Sequence, residues 1–164
     1  MDICILYGGR SGEHEVSLRS AASVVKNLDP TRYRITAIGI DTAGYWNLQQ
    51  QVTSHAVPGQ GERLAILPAA GSVSIAPADG IHAETGKLKI DCVFPVLHGS
   101  YGEDGTIQGL LEIAGLPYVG AGVLGSSSSL DKEVAKRLWR DGGLPIVDFE
   151  VMDRSTKAAD RAAA

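Results

Sequence analysis

The sequence predicts an α/β fold: an open parallel sheet with flanking helices, interrupted by a β-rich excursion. Two apolar runs, DICILY (2–7) and DCVFPVL (91–97), read as buried strands, and each runs directly into a glycine-rich turn. After each turn the apolar residues fall at i, i+3, i+4 and i+7, the period of a helix with one buried face. YRITAIGI (33–40) then returns to β-branched alternation, so the chain opens strand, turn, helix, strand. That βαβ order implies parallel strands joined by a right-handed crossover.

In the first helix, 15–28, the buried face is Leu18, Ala21, Ala22 and Val25, and Asn27 to Pro30 close it. The stretch 41–90 has no helical period. GYWNL and LAILP read as short strands, and ETGK offers a turn between two β-prone pieces. Pro95 requires a bulge or a strand end in the run 91–97. Ile107, Leu110, Leu111 and Ala114 form the second helical face, with Gly115 as its C-cap. LPYVG reads as a further strand. SSSSLDKEVAKRLWRDGG reads as one helix, with Ser129 or Asp131 near its start and Gly142-Gly143 past its end. LPIVDFEVM (144–152) begins another strand, and the tail beyond it has no core-forming pattern.

Composition excludes several function classes. Hydrophobic residues make up 44% of the 164 and charged residues 21%, which is ordinary for a globular domain. The net charge of −4 comes without a clustered basic face, and aromatics are only 5%, so no nucleic-acid partner is expected. No apolar run approaches the ~18 residues of a membrane span. The N-terminus has neither a basic n-region nor a cleavage site, so a cytoplasmic protein is expected. Cys4 and Cys92 each sit inside an apolar run and read as reduced core thiols. His55 and His82 read as surface histidines without metal-ligand partners, and no metal site emerges from the spacing of carboxylates and histidines.

Chemistry concentrates in the two turns, GGRSGEHE (8–15) and HGSYGEDG (98–105). Both fall at the carboxyl edge of the sheet, where ligands of open α/β folds gather. Neither is a Walker loop nor a G-x-G-x-x-G fingerprint. Both carry carboxylates instead. Glu15, Glu103 and Asp104 are suited to capping helix N-termini. Glu13 follows glycines and a serine within its turn, where a carboxylate projecting from the sheet edge can pair with an ammonium group. His98 ends its strand facing the other turn, which leaves a structural donor and a functional group both open.

LYGGRSGEHEVSLRSA and VFPVLHGSYGEDGTIQGLLEIAGLPYVGAGVLGSSSSLDKEVAK, in this order, resemble the N-terminal part of D-alanine–D-alanine ligases. The resemblance covers 1–49 and 91–153, with a distinctive pair of motifs, GG-x-S-x-E-x-E-V-S and HG-x-x-GEDG-x-x-QG. It implies a Rossmann-like pre-ATP-grasp domain over 1–140 and the start of an ATP-grasp central domain over 141–164. It further implies ATP-dependent joining of two D-alanines through an acyl phosphate, for peptidoglycan precursors made in the cytoplasm by a homodimer. In the family's pattern Glu13 holds the first D-alanine's ammonium group, and His98 lies near its reacting carboxyl. Lys132 matches a lysine on the ATP phosphates, while Ser17 and Gly99 fall inside the motifs at positions a backbone or capping role also explains.

Two departures from the pattern bear on packing: the serine run 126–129, and Leu130 where methionine is common. The family's adenine grip, Mg2+ carboxylates and catalytic arginine belong to later domains, so this chain alone is expected to be inactive. D-alanine–D-lactate and D-alanine–D-serine ligases remain as relatives, separated by second-substrate contacts, with Tyr101 leaning towards the dipeptide enzyme. A non-catalytic binding or dimerisation module is the alternative from another class.

Overall fold

The computed structural model describes residues 1–59, 61–67 and 73–152. The elements run β1 (Asp2–Gly8), α1 (His14–Asn27), β2 (Arg34–Ile40), β3 (Trp46–Gln49), β4 (Ser54–Val57), β5 (Gly61–Leu64), β6 (Ser74–Ala76), β7 (Gly80–Ala83), β8 (Gly86–Lys87), β9 (Cys92–Leu97), α2 (Thr106–Ile113), α3 (Val123–Leu130) and α4 (Lys132–Asp141). The main sheet has the order β3-β2-β1-β9. β1 pairs in parallel with β2 and β9, and β3 adds an antiparallel edge. The expected parallel sheet is therefore real at its centre, with one hairpin strand added.

β1 is buried along its whole length, and its period-2 pleat divides the core into two layers. Ile3, Ile5 and Tyr7 face α1, packing on Leu18, Ala21 and Ala22. Cys4 and Leu6 face the other way, onto Ile38, Val93, Ile107 and Leu111. Each large aliphatic withdrawn from water there contributes about 1.5–3 kcal/mol. Burial pushes the Cys4 thiol up to about 12 and the Tyr7 phenol likewise to about 12. Both cysteines are free.

The excursion forms two small antiparallel sheets, β4-β5 and β6-β7-β8. The ETGK turn joins β7 to β8, as its residues indicate, but the strand expected at LAILP lies upstream, with only Leu64 in β5. Leu64 is 1% exposed because the β4-β5 hairpin closes over α1 and β1, and the Tyr7 hydroxyl donates to Ala65 O at 2.8 Å. His55 is exposed, and His82 pairs with Asp79 at 2.9 Å.

Pro95 sits inside β9 without a bulge. Val93 donates to Pro117 O and accepts from Val119 N–H, so the odd-numbered residues of β9 turn their backbone groups away from β1. The missing N–H of Pro95 thus falls on the edge, where no ladder bond is lost. The strand expected at LPYVG is reduced to one bridge, Val93–Tyr118. The single helix expected at 126–143 is two: the serines lie within α3, and Asp131 breaks the run and caps α4 by accepting from Val134 N–H at 3.0 Å. The expected strand at 144–152 does not form, because no described strand lies alongside to take its N–H and C=O groups. The low-pattern tail 153–164 lies outside the described residues.

At the amino edge Asp2 accepts two bonds from Arg34, both 2.7 Å, and lies 3.4 Å from Lys89. The Arg34 hydrogen bonds hold the Asp2 carboxyl below its usual range. A depressed folded pKa contributes stability that is present above the unfolded value of about 3.9 and is lost as pH falls through the folded value. The urea midpoint of the wild type is therefore expected to drop more steeply below about pH 4 than that of Asp2→Asn.

Candidate active site

Two turns meet at the carboxyl edge because glycine lets β1 and β9 end abruptly. Gly8 and Gly9 have φ +92° and +102°, and Gly99 and Gly105 have +68° and +91°, all in the left-handed region that favours glycine. Where β1 and β9 part, the Ser17 hydroxyl bridges them: it accepts from Gly8 N–H at 2.7 Å and donates to Val96 O. Ser17 is fully buried, so its place is between the strand ends and not in the cleft. Ser11 ties the turns together, donating from Oγ to His98 O at 2.6 Å and accepting from Glu13 N–H at 3.2 Å.

This bridge brings Glu13 and His98 together. Glu13, His98 and Glu103 each present a ligand atom within 4.8 Å of the others. Glu13 is exposed at the N-cap of α1, and among the described residues nothing pairs with its carboxylate. Glu15, in the first turn of the helix, is taken by Arg63 of β5. That ion pair leaves Glu13 as the carboxylate of the first turn open to an incoming cation. Gly99 lies against it, since a Cβ there would come within 3.4 Å of Glu13 Oε1 and 3.3 Å of Ser11 Cβ.

His98 has a side-chain exposure of 28%; its Nε2 is hydrogen-bonded to Ser20 Oγ at 3.0 Å, and its Nδ1 faces Glu103 Oε1 at 3.6 Å. The second loop is fastened from several sides. Asp104 accepts from Tyr101 N–H and Thr106 N–H at 2.8 and 2.9 Å, which caps α2 as its position indicates. Burial opposes its ionisation, yet those bonds keep its carboxyl below the usual range. Gln108 donates to Gly102 O at 3.0 Å. Glu103 does not cap α2; it turns back on its own loop and accepts from Gly99 N–H at 2.8 Å.

A cleft of about 480 Å³ opens beside these groups, lined by His98, Glu103, Gln108, Ser126, Ser129 and Lys132 among others. Lys132 begins α4, exposed, across this cleft from His98. A second, smaller and mainly apolar pocket of about 160 Å³ lies on the far side of His98, between Trp46, Leu97 and Leu110. At its rim the Arg10 guanidinium stacks on Tyr101, 5.3 Å from the ring centroid.

The Glu–His–Glu group suits an ammonium ion, with carboxylates ready for charge-assisted hydrogen bonds. It does not suit Mg2+, which takes an octahedral set of oxygen ligands and keeps several waters. No helix of the described residues is long and apolar enough to cross a membrane.

A family model described as D-ala D-ala ligase N-terminus matches residues 2–121. The chain belongs to that family. Within it, a D-alanine–D-alanine ligase of Bradyrhizobium sp. (strain ORS 278) is 51% identical over 155 residues, covering 92% of this chain and 42% of the relative. One from Mycobacterium ulcerans is 45% identical, covering 97% and 45%. The chain thus spans less than half the length of the curated relatives it matches. The solved D-alanine–D-alanine ligase of Coxiella burnetii superposes with a TM-score of 0.79 at 35% identity, over 96% of this chain and 46% of that one. The VanG D-Ala:D-Ser ligase of Enterococcus faecalis gives 0.68 at 32% identity, over 87% and 42%.

Ser11, Ser20 and Arg63 do not stand out in the sequence. For Ser20 a signal is present: Glu13, Ser17 and Ser20 fall at i, i+4 and i+7, a polar stripe beside the apolar face of α1. Arg63 has none, since its reach to Glu15 depends on how the β4-β5 hairpin folds back.

Proposed function

We propose that this chain supplies the first-substrate half-site of an ATP-dependent D-alanine–D-alanine ligase. The observation that carries the reading is the meeting of Glu13 and His98 at the junction of the two glycine turns, joined through Ser11. Glu13 binds the ammonium group of the first D-alanine. His98 lies beside the carboxyl group that becomes an acyl phosphate and offsets the negative charge that develops there. Lys132, facing the same cleft, meets the phosphate side of the reaction. ATP is a substrate, and Mg2+ belongs with ligands outside this chain. Residues 1–140 form the substrate domain and 141–164 begin the central domain. The product is D-alanyl-D-alanine for peptidoglycan precursors, made in the cytoplasm, with a homodimer as the assembly.

The likeness to a D-Ala:D-Ser ligase keeps a second reading in view, in which the same half-site serves a different second substrate. Glu13 and His98 act on the first substrate in both readings.

Joining residues 1–152 of this chain to the remaining part of the Bradyrhizobium relative tests the reading. The chimaera is expected to form dipeptide from D-alanine, ATP and Mg2+, while the 164-residue chain alone forms none. A folded chimaera without ligation, or ligation by the chain alone, would overturn the half-site assignment. Offering D-serine beside D-alanine reports the second-substrate preference.

A further inference from the structure

The loop 98–105 closes on itself around one carboxylate. Glu103 N–H donates to Gly99 O at 2.9 Å, and Gly99 N–H returns a bond to Glu103 Oε2 at 2.8 Å. With Oε2 fixed in this way, Oε1 faces Nδ1 of His98 at 3.6 Å. Tyr101, at φ +67°, is a non-glycine residue in the left-handed region. Such a conformation persists only where its surroundings over-determine it. Asp104 does so here, through the Tyr101 and Thr106 N–H groups, and Gln108 holds the loop centre. On the opposite side of the ring Nε2 meets the Ser20 hydroxyl of α1 at 3.0 Å.

A carboxylate only accepts, whereas a hydroxyl can donate or accept. We propose that Glu103 is a positioning residue for His98: its carboxylate keeps the imidazole proton on Nδ1, leaving Nε2 as the acceptor of the Ser20 hydroxyl. Glu103 acts through His98 and holds the ring in one orientation before any ligand arrives. This deepens the half-site assignment and rests on it only for its consequence in the reaction. The tautomer itself is a property of the free chain.

The test is the long-range 1H–15N spectrum of the 164-residue chain near pH 8.5, well above the ordinary histidine pKa of about 6.5. The His98 signals are identified by their loss in His98→Asn. The wild type is expected to show the Nδ1–H form. Glu103→Ala is expected to shift the tautomer ratio about tenfold or more towards Nε2–H, the scale of losing a carboxylate charge 3.6 Å from the ring nitrogen. Glu103→Gln, whose one amide oxygen is taken by Gly99 N–H so that its NH2 group faces Nδ1, is expected to move the ratio the same way. A general loss of amide dispersion would mark Glu103→Ala as misfolded, and the near-isosteric Gln variant then carries the comparison with the wild type. An Nε2–H form in the wild type, or a ratio unmoved in Glu103→Ala, would overturn the proposal. If the tautomer follows Glu103 while D-alanine perturbs no resonance of the loop, the positioning role stands and the half-site assignment fails.

Discussion

Glu13→Gln in the chimaeric ligase is expected to raise the KM for the first D-alanine roughly ten- to a hundredfold. The substitution keeps the shape of the side chain and removes its charge. A hydrogen bond to a charged group is worth about 1.5–3 kcal/mol, and each 1.4 kcal/mol is tenfold in affinity. The fold has little stake in that carboxylate. Among the described residues no bond engages it, and what holds this turn is the Glu13 N–H, which donates to Ser11 Oγ. Thermal unfolding of the variant is therefore expected to match the wild type, apart from the few tenths of a kcal/mol that a charge near a helix N-terminus contributes. Initial rates against D-alanine concentration give the check. A saturation curve identical to that of the wild type would remove Glu13 from the site.

Gly8→Ala is expected to have the largest effect on stability, a loss of more than about 4 kcal/mol, in the range that signals a named structural fault. Two costs combine at this position. The backbone is at φ +92°, where an L side chain is strained. A Cβ would also stand 2.2 Å from Ile40 O and 2.8 Å from Ile66 Cδ1. The Ile40 carbonyl cannot retreat cheaply, because it accepts from Gly9 N–H at 2.8 Å. Equilibrium urea unfolding followed by circular dichroism measures the loss. Gly12→Ala serves as the contrast within the same turn: a Cβ there would meet nothing within 4 Å, and a small change is expected. Similar midpoints for the two variants would mean that β1 does not end against β2 in this way.

The central βαβ unit is legible in the sequence because local pattern and tertiary environment agree there. β1 is buried on both faces and reads as a continuous apolar run, while the spacing of Leu18, Ala21 and Ala22 states which face of α1 is covered. The elements that depart from expectation are those whose state depends on partners distant in sequence. LPIVDFEVM has strand composition but no described strand beside it, and Pro117 limits LPYVG to a single bridge. Pro95, an apparent obstacle to β9, is harmless only because its neighbour on that side ends at the Val93 bridge.

The site divides along the same line. Glu13 and His98 stand out because each follows or precedes glycine at a strand end, a position with chemical meaning before any tertiary contact is known. What joins them is not legible. The Ser11–His98 bond spans 87 residues, the Ser17 bridge to Val96 spans 79, and the Ser20–His98 contact spans 78. Serines of this kind look like ordinary turn and helix residues until β9 is laid beside β1. Lys132 is the opposite case: its local environment, an exposed first turn of α4, says little, and its place on the cleft becomes visible only once α3 has brought that turn back towards His98.

The central claim is that the junction of the two turns receives the first amino acid. A titration of the 15N-labelled chain with D-alanine, followed by amide shifts, tests it most directly. Saturable shifts in the millimolar range are expected at Ser11, Glu13, His98, Gly99 and Glu103, larger for D-alanine than for L-alanine and abolished in Glu13→Gln. Shifts confined to other surfaces, or equal responses from the wild type and Glu13→Gln, would contradict the account.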